Sequence, residues 1–425
     1  MQKTGNYRWV VVVLLFLATT INYIDRQVMG LLKSDLSREF HWTETIYGYI
    51  VTTFTIAYAA GLFIFGRMVD RIGSKRGYVV SIIVWSVAAC GHAFVKSTVV
   101  FGFMRSALGL GEGGNFPAAI RSVAEWFPKK ERALATGIFN SGSNIAAVVG
   151  PPLVTWILVS YGWREAFLWT GALGFLWLIF WWLFYEVPSK HKKVTQEEVS
   201  YIQSDGEEAD TTRISFFTII AIKQTWMFAI GKFFSDPIWW FYLFWIPDYF
   251  YEGYGLQLKD SWMYVSTIYL LASFGSIAGG YLPGWLIKKG WDVHKARKTA
   301  LFIYACCVIP IVLVQFTNEP WTAVLLVGLA ASAHQAWSAN LFTTTSDNFP
   351  KKAVGSVVGV GGMVGSLSSA VFPLCVGTIL DHFKSLGNIN IGYNIIFTIC
   401  SCAYIIAWLS MHFISKIKQT TQLQQ

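Results

Sequence analysis

One kind of segment recurs along the whole chain and decides most of what it can fold into. Runs of about 20 mostly apolar residues, long enough to cross a bilayer as a helix, fill nearly all of the 425 residues. Twelve candidates lie at roughly 9–31, 46–66, 77–96, 99–120, 133–159, 164–186, 226–251, 262–287, 299–316, 321–344, 354–380 and 391–414. In lipid each backbone N–H and C=O must be bonded within its own segment, so runs of this kind are helices. The joins between them are short, which makes sequential helices antiparallel neighbours. Composition agrees: 13% of residues are charged, against about 25% in soluble domains. The expected fold is an all-α membrane protein of twelve transmembrane helices, in contact with the lipid bilayer.

The net charge of +9 does not point to nucleic acid. Basic residues cluster in alternate joins: Arg67, Arg71, Lys75 and Arg76; Lys129, Lys130 and Arg132; Lys190, Lys192 and Lys193; Lys351 and Lys352. Across the chain one side collects 21 Lys and Arg and the other 6. Positive loops stay on the cytoplasmic side, so both termini are expected there. The first apolar run is long and ends in a charged pair, unlike a cleavable signal peptide. The six cysteines, Cys90, Cys306, Cys307, Cys375, Cys400 and Cys402, all lie in apolar runs without a Cys-x-x-Cys pair. They read as small buried residues, and no metal site or cofactor is expected.

The longest polar stretch starts at Pro188 and divides the chain into halves 1–187 and 215–425, with 188–214 as a cytoplasmic linker. Within it, Thr195 followed by Glu198 has the spacing of a helix capping box. The halves are alike. Phe127-Pro128-Lys129-Lys130 returns as Phe349-Pro350-Lys351-Lys352, an offset of 222 that also relates Gly137 to Gly359 and Pro151 to Pro373. Two related halves around a midplane site are a transporter plan.

Against this apolar background the ionisable residues stand out. Asn22-Tyr23-Ile24-Asp25-Arg26 closes the first run, and Arg105 and Glu112 lie in the fourth. Charge at such depth is expensive and faces a bundle interior or a watery cavity. Arg26 and Arg105 suit a carboxylate, which a guanidinium can grip with two bonds. Asp25 and Glu112 neutralise them in the empty state, and protonation of an acid frees an arginine for the anion. These residues point to a proton-coupled carrier of an organic acid. Alternatively, Asp25–Arg26 and Arg105–Glu112 are fixed ion pairs. Tyr58, Asn140, Ser143 and Asn144 supply neutral hydrogen-bonding groups for a polyhydroxy ligand, or bond helix to helix.

The loop after the second run reads Gly66-Arg-Met-Val-Asp70-Arg71-Ile-Gly73-Ser-Lys75-Arg76. It resembles the signature of the major facilitator superfamily at every defined position. The resemblance implies that Asp70 and Arg71 are gate residues that latch helix ends. In the second half Gly284 stands where the acid would be, so that latch is expected to be weak or absent. Asn22-Tyr23-Ile24-Asp25-Arg26, with Arg105 and Gly109-Leu-Gly-Glu112-Gly-Gly-Asn-Phe-Pro117, resembles the anion:cation symporter branch. That likeness implies protonation at Asp25 and Glu112, and substrate contact at Tyr23, Arg26, Tyr58 and Arg105. Ser143 stands where galactonate carriers have a longer amide. Asp236-Pro237-Ile-Trp239-Trp240 and Ala333-His334-Gln335-Ala336-Trp337-Ser338 resemble hexuronate carriers. Gln335 and Ser338 are then expected to meet sugar hydroxyls, and Trp239 or Trp240 a sugar ring. Asp236 is either part of that motif or a helix cap, and His334 either a pH-active group or a neutral histidine bonded between helices.

The resemblance thus implies a monomeric symporter of the bacterial inner membrane that imports a hexuronate with protons. Another sugar acid, such as galactonate or glucarate, is the alternative, and a transporter-like sensor is the rival from a different class. The sequence carries no nucleophile elbow, phosphate loop or metal-ligand cluster of an enzyme.

Overall fold

A computed structural model describes residues 5–205, 215–254 and 258–415. Among these residues the secondary structure is helical throughout, with no strand. The twelve spans are Tyr7–Leu31, Glu44–Ile72, Ser74–Gly91, the pair Thr98–Glu112 and Asn115–Trp126, Lys129–Tyr161, Trp163–Phe184, Lys223–Tyr254, Leu258–Lys288, Val293–Val308, Pro320–Asn348, Lys351–Ser385 and Ile389–Ser415. Most run a few residues past the apolar stretch into the polar joins. Span 4 differs in kind, because it breaks at Gly113-Gly114 and resumes to Trp126.

Local chemistry accounts for the helix ends. Thr43, Ser97 and Asp292 cap spans 2, 4 and 9 by accepting from the amides of Ile46, Val100 and Lys295, which satisfies orphan N–H groups of the first turn. Gly73, at φ 87°, turns the chain between spans 2 and 3, in a region that other residues rarely enter. In the linker, Thr195 accepts from Glu198 N at 3.3 Å. The Glu198 carboxylate does not complete a capping box; it accepts from the amides of Tyr7 and Arg8 at 3.2 and 3.1 Å and ties the linker helix to the start of span 1.

Nine spans are apolar enough to cross a bilayer on length and composition alone among the described residues; spans 4, 7 and 10 are not. These three carry Arg105 and Glu112, Lys232 and Asp236, and His334, Gln335 and Asn340. Their polar groups are tolerable in a membrane only when turned inward, and all seven are buried or shielded inside the bundle. Apolar side chains such as Val99, Val159 and Phe274 cover the exterior.

The halves meet along two seams. Span 2 lies on span 11, where Gly66 abuts Gly355 and Gly359 backbone, and span 5 lies on span 8, where Gly137 and Ala133 abut Ser276 and Gly280. Small residues let helix backbones approach this closely. Gly137 and Gly359, related by the 222-residue repeat, each sit in one seam.

Candidate functional site

Span 1 places Asp25 and Arg26 next to each other in sequence, yet they do not pair. Neighbours on a helix point about 100° apart and do not face each other. Arg105 and Glu112 share a face, but two turns separate them by about 10 Å along the axis. The structure pairs them across helices instead: Arg26 Nε donates to Glu112 at 2.8 Å, with the Glu112 side chain fully buried. Neither of the fixed pairs considered from the sequence is present. Tyr23, Tyr58 and Phe54 hold the Arg26 guanidinium, with ring centroids 4.6, 4.5 and 5.5 Å from it.

Arg105 is differently placed. One nitrogen reaches the Arg26 carbonyl at 3.4 Å, and the guanidinium lies 4.7 Å from the Phe54 ring. Its Nε and Nη1 are buried without a hydrogen-bond partner, as are both Asp25 carboxylate oxygens and Glu112 Oε1. Unmade bonds of buried groups cost about 1–3 kcal/mol each, more for charged ones. Such a set in one place is unfinished bonding capacity, donors on Arg105 and acceptors on two acids.

Across the seam the contacts are neutral. Asn140 Nδ2 donates to Gln335 Oε1 at 2.7 Å, and Gln335 Nε2 donates to Asn144 Oδ1 at 3.0 Å. Span 10 is thereby bonded to span 5. Ser143 donates to the Asn140 carbonyl of its own helix. Ser338 is buried one turn beyond Gln335, and Trp240 is half-buried beside Trp239 in span 7. Trp239 stacks on His334 with centroids 4.9 Å apart, and His334 Nδ1 bonds the Tyr404 hydroxyl. His334 therefore sits between spans 7, 10 and 12.

Asp236 corrects one expectation. It is no cap, because span 7 begins at Lys223, so Asp236 lies in the helix interior. It pairs with Lys232 at 2.7 Å. The Asp236 carboxylate lies against Gly365 of span 11. Sequence reasoning missed Lys232. The signal was there: a lysine within an apolar run, four residues before an acid, is an intrahelical ion pair.

On the face where span 1 begins, Asp70 accepts from the amides of Gly355 and Ser356 at 3.0 and 2.6 Å, so span 2 caps the start of span 11. Arg121 of span 4 approaches Asp70 at 3.5 Å. Arg71 is exposed and makes no ion pair among the described residues, so the ion pair at this helix end joins Asp70 to Arg121 instead. The expected weakness at Gly284 is made good elsewhere. Asp347 of span 10 bonds Arg297 of span 9 at 2.9 Å and approaches Arg132 of span 5 at 3.5 Å. Lys75 of the signature loop donates to Glu186 at 3.0 Å. Burial pushes that carboxyl up, but the bonds from Lys75 and the Val187 amide hold it below its ordinary range.

A family model described as Major Facilitator Superfamily matches residues 15–373. The chain is 34% identical over 389 residues to the hexuronate transporter of Escherichia coli (strain K12), covering 90% of this chain and 89% of that one. It is 32% identical over 338 residues to the galacturonate transporter of Dickeya chrysanthemi, covering 78% of this chain and 97% of that one. Among solved structures it superposes on the proton:xylose symporter XylE with a TM-score of 0.74 at 14% identity, covering 96% of this chain and 95% of that one.

Proposed function

The chain belongs to the major facilitator superfamily of membrane transporters, and on that premise we propose that it imports a hexuronate, such as glucuronate or galacturonate, together with protons. The observation that carries this is Arg105, a buried guanidinium with open donors beside a paired Arg26–Glu112 and an unbonded Asp25. The substrate carboxylate takes the open N–H groups of Arg105. Protonation of Glu112 loosens its hold on Arg26, which then joins the anion, while Asp25 accepts a second proton. Tyr23 and Tyr58 hold Arg26 in place during the exchange. Asn140, Ser143, Gln335 and Ser338 meet the sugar hydroxyls, and Trp240 offers a face to the ring.

Residues 188–214 link halves 1–187 and 215–425, which rock about the bound sugar so that it is exposed to one side at a time. Asp70 and Asp347 hold the cytoplasmic ends together while the outer side is open, and both termini lie in the cytoplasm. The protein works as a monomer in the inner membrane.

Lys232 favours a second substrate class. With Arg105 in one half and Lys232, paired with Asp236, in the other, each half supplies a buried cation, as a dicarboxylic sugar acid such as glucarate requires. Proteoliposomes given labelled glucuronate with and without an inward proton gradient decide the matter. Gradient-driven accumulation competed by galacturonate, but not by glucose, is expected. Accumulation of glucarate in its place moves the substrate and keeps the mechanism. No flux of any sugar acid overturns the proposal.

A further inference from the structure

Two guanidiniums share one aromatic ring. The Phe54 ring centroid lies 4.7 Å from Arg105 Cζ and 5.5 Å from Arg26 Cζ. The two arginines are otherwise held unequally. Arg26 has the Glu112 carboxylate at 2.8 Å and the rings of Tyr23 and Tyr58. Arg105 forms no ion pair among the described residues, and its hydrogen bond to the Arg26 carbonyl is long at 3.4 Å. A buried cation needs compensation for the water it has lost. An aromatic face supplies it through the ring quadrupole, and does so most strongly when the contact is desolvated.

The ring is itself fixed. Phe54 is 5% exposed. It stacks on Tyr58, one turn later on span 2, with centroids 6.1 Å apart and planes 10° from parallel. Span 4 presses on it at Gly109, one turn after Arg105. A Cβ at Gly109 would stand 2.5 Å from the Phe54 carbonyl oxygen and 3.1 Å from ring carbon Cδ2. Only glycine leaves that seat for the ring beside Arg105. Gly109, in the glycine-rich stretch around Glu112, thereby gains a definite task.

We propose that Phe54 is a positioning residue, whose ring holds the Arg105 guanidinium by a cation–π contact and leaves N–H groups of that guanidinium unbonded. A carboxylate in the same place would take the planar fork of donors for itself. A ring offers those donors no lone pair, and Nε and Nη1 of Arg105 are indeed without a hydrogen-bond partner. Arg105 is thus ordered before any anion arrives, and binding does not have to immobilise it. That an anion takes these N–H groups rests on the function proposed above; that the ring holds Arg105 does not.

Thermal unfolding of the purified full-length protein, without substrate, tests the contact itself. Phe54→Leu should lower the melting temperature more in the parent than in an Arg105→Gln background. The packing loss is common to both, and the cation–π contact is lost only in the first. Equal shifts overturn the proposal, whatever the protein carries. Binding of labelled glucuronate to the same protein tests the consequence. Phe54→Leu should weaken it about fivefold, the scale of one cation–π contact. Phenylalanines bearing one, two or three ring fluorines at position 54 keep the shape of the ring and draw charge from its face. Melting temperature and affinity should both fall with each fluorine, and this series decides if Phe54→Leu or Arg105→Gln fails to fold. Values independent of fluorine count make the ring a space-filler and overturn the proposal. A parent that binds no sugar acid defeats the proposed function, while the unfolding comparison still decides on Phe54.

Discussion

Residues 1–187 and 215–425 share motifs at an offset of 222, yet their interiors differ in what they leave unfinished. In the first half, both Asp25 oxygens, two of the three Arg105 nitrogens and one oxygen of Glu112 are buried without hydrogen-bond partners. In the second, Gln335 is bonded to Asn140 and Asn144, His334 to Tyr404, and Lys232 to Asp236. A charged interior with open bonds is where protonation and anion binding change most. A neutral, bonded interior resists change of charge but reads shape and hydroxyl placement well. Under the proposed function, the first half would drive transport and the second would select what is carried.

The sharpest way to break that division is Arg105→Ala. It removes the open guanidinium, and transport should fall by at least about a hundredfold, the scale set by loss of one member of a buried ionic contact. Arg105→Lys should not restore it, because an ammonium lacks the two-bond edge. Near-normal affinity for the sugar acid in either variant would make Arg105 a structural residue. Glu112→Gln should come next. Accumulation under a proton gradient should vanish while exchange of internal for external substrate stays within about tenfold, since charge-assisted contacts other than Arg26–Glu112 remain. Full accumulation by this variant places proton coupling elsewhere.

The second half should answer differently. Asp236→Asn strands the Lys232 charge and should lower stability by about 3 kcal/mol; Lys232→Met/Asp236→Asn should recover most of it, as thermal unfolding can measure. The double variant should also lose any uptake of dicarboxylic sugar acids before that of hexuronates. Gln335→Leu should raise KM about tenfold by unmaking bonds to Asn140 and Asn144, without touching the proton requirement. A change in coupling by Gln335→Leu would erase the distinction between the halves. The smallest effect belongs to Arg71→Ala, expected within about 0.5 kcal/mol of the parent as an exposed substitution. Asp70→Asn, which weakens two bonds to span 11, should speed opening of that face in a crosslinking assay between spans 2 and 11.

The class of fold was readable because lipid forces apolar length into helices, and the repeat exposed the halves. The ionisable residues were readable for the same reason: Asp25, Arg105 and Glu112 have no business in lipid otherwise. Their pairing was not. It depends on how span 1 faces span 4, and only the rotation of each helix decides that Arg26 rather than Arg105 takes Glu112. Span 4 was also misjudged: read as one run over 99–120, it breaks at Gly113-Gly114 and resumes to Trp126. Lys232 escaped because its charge is neutralised one turn away, in a run whose aromatic content hides it. Asp347 lies just past the apolar run that ends at 344; its partners Arg132 and Arg297 lie 215 and 50 residues away in sequence, beyond any local pattern.

Asp25 carries a consequence for energetics. One proton entering with a hexuronate monoanion moves no net charge, so such a carrier runs on acidity alone and ignores voltage. When Glu112 and the unbonded Asp25 both load, a positive charge enters with each sugar. The membrane potential then adds about 2.3 kcal/mol per 100 mV, roughly a fortyfold steeper concentration ratio. Under the proposed coupling, the second carboxyl would turn a pH-driven carrier into one that the membrane potential also powers.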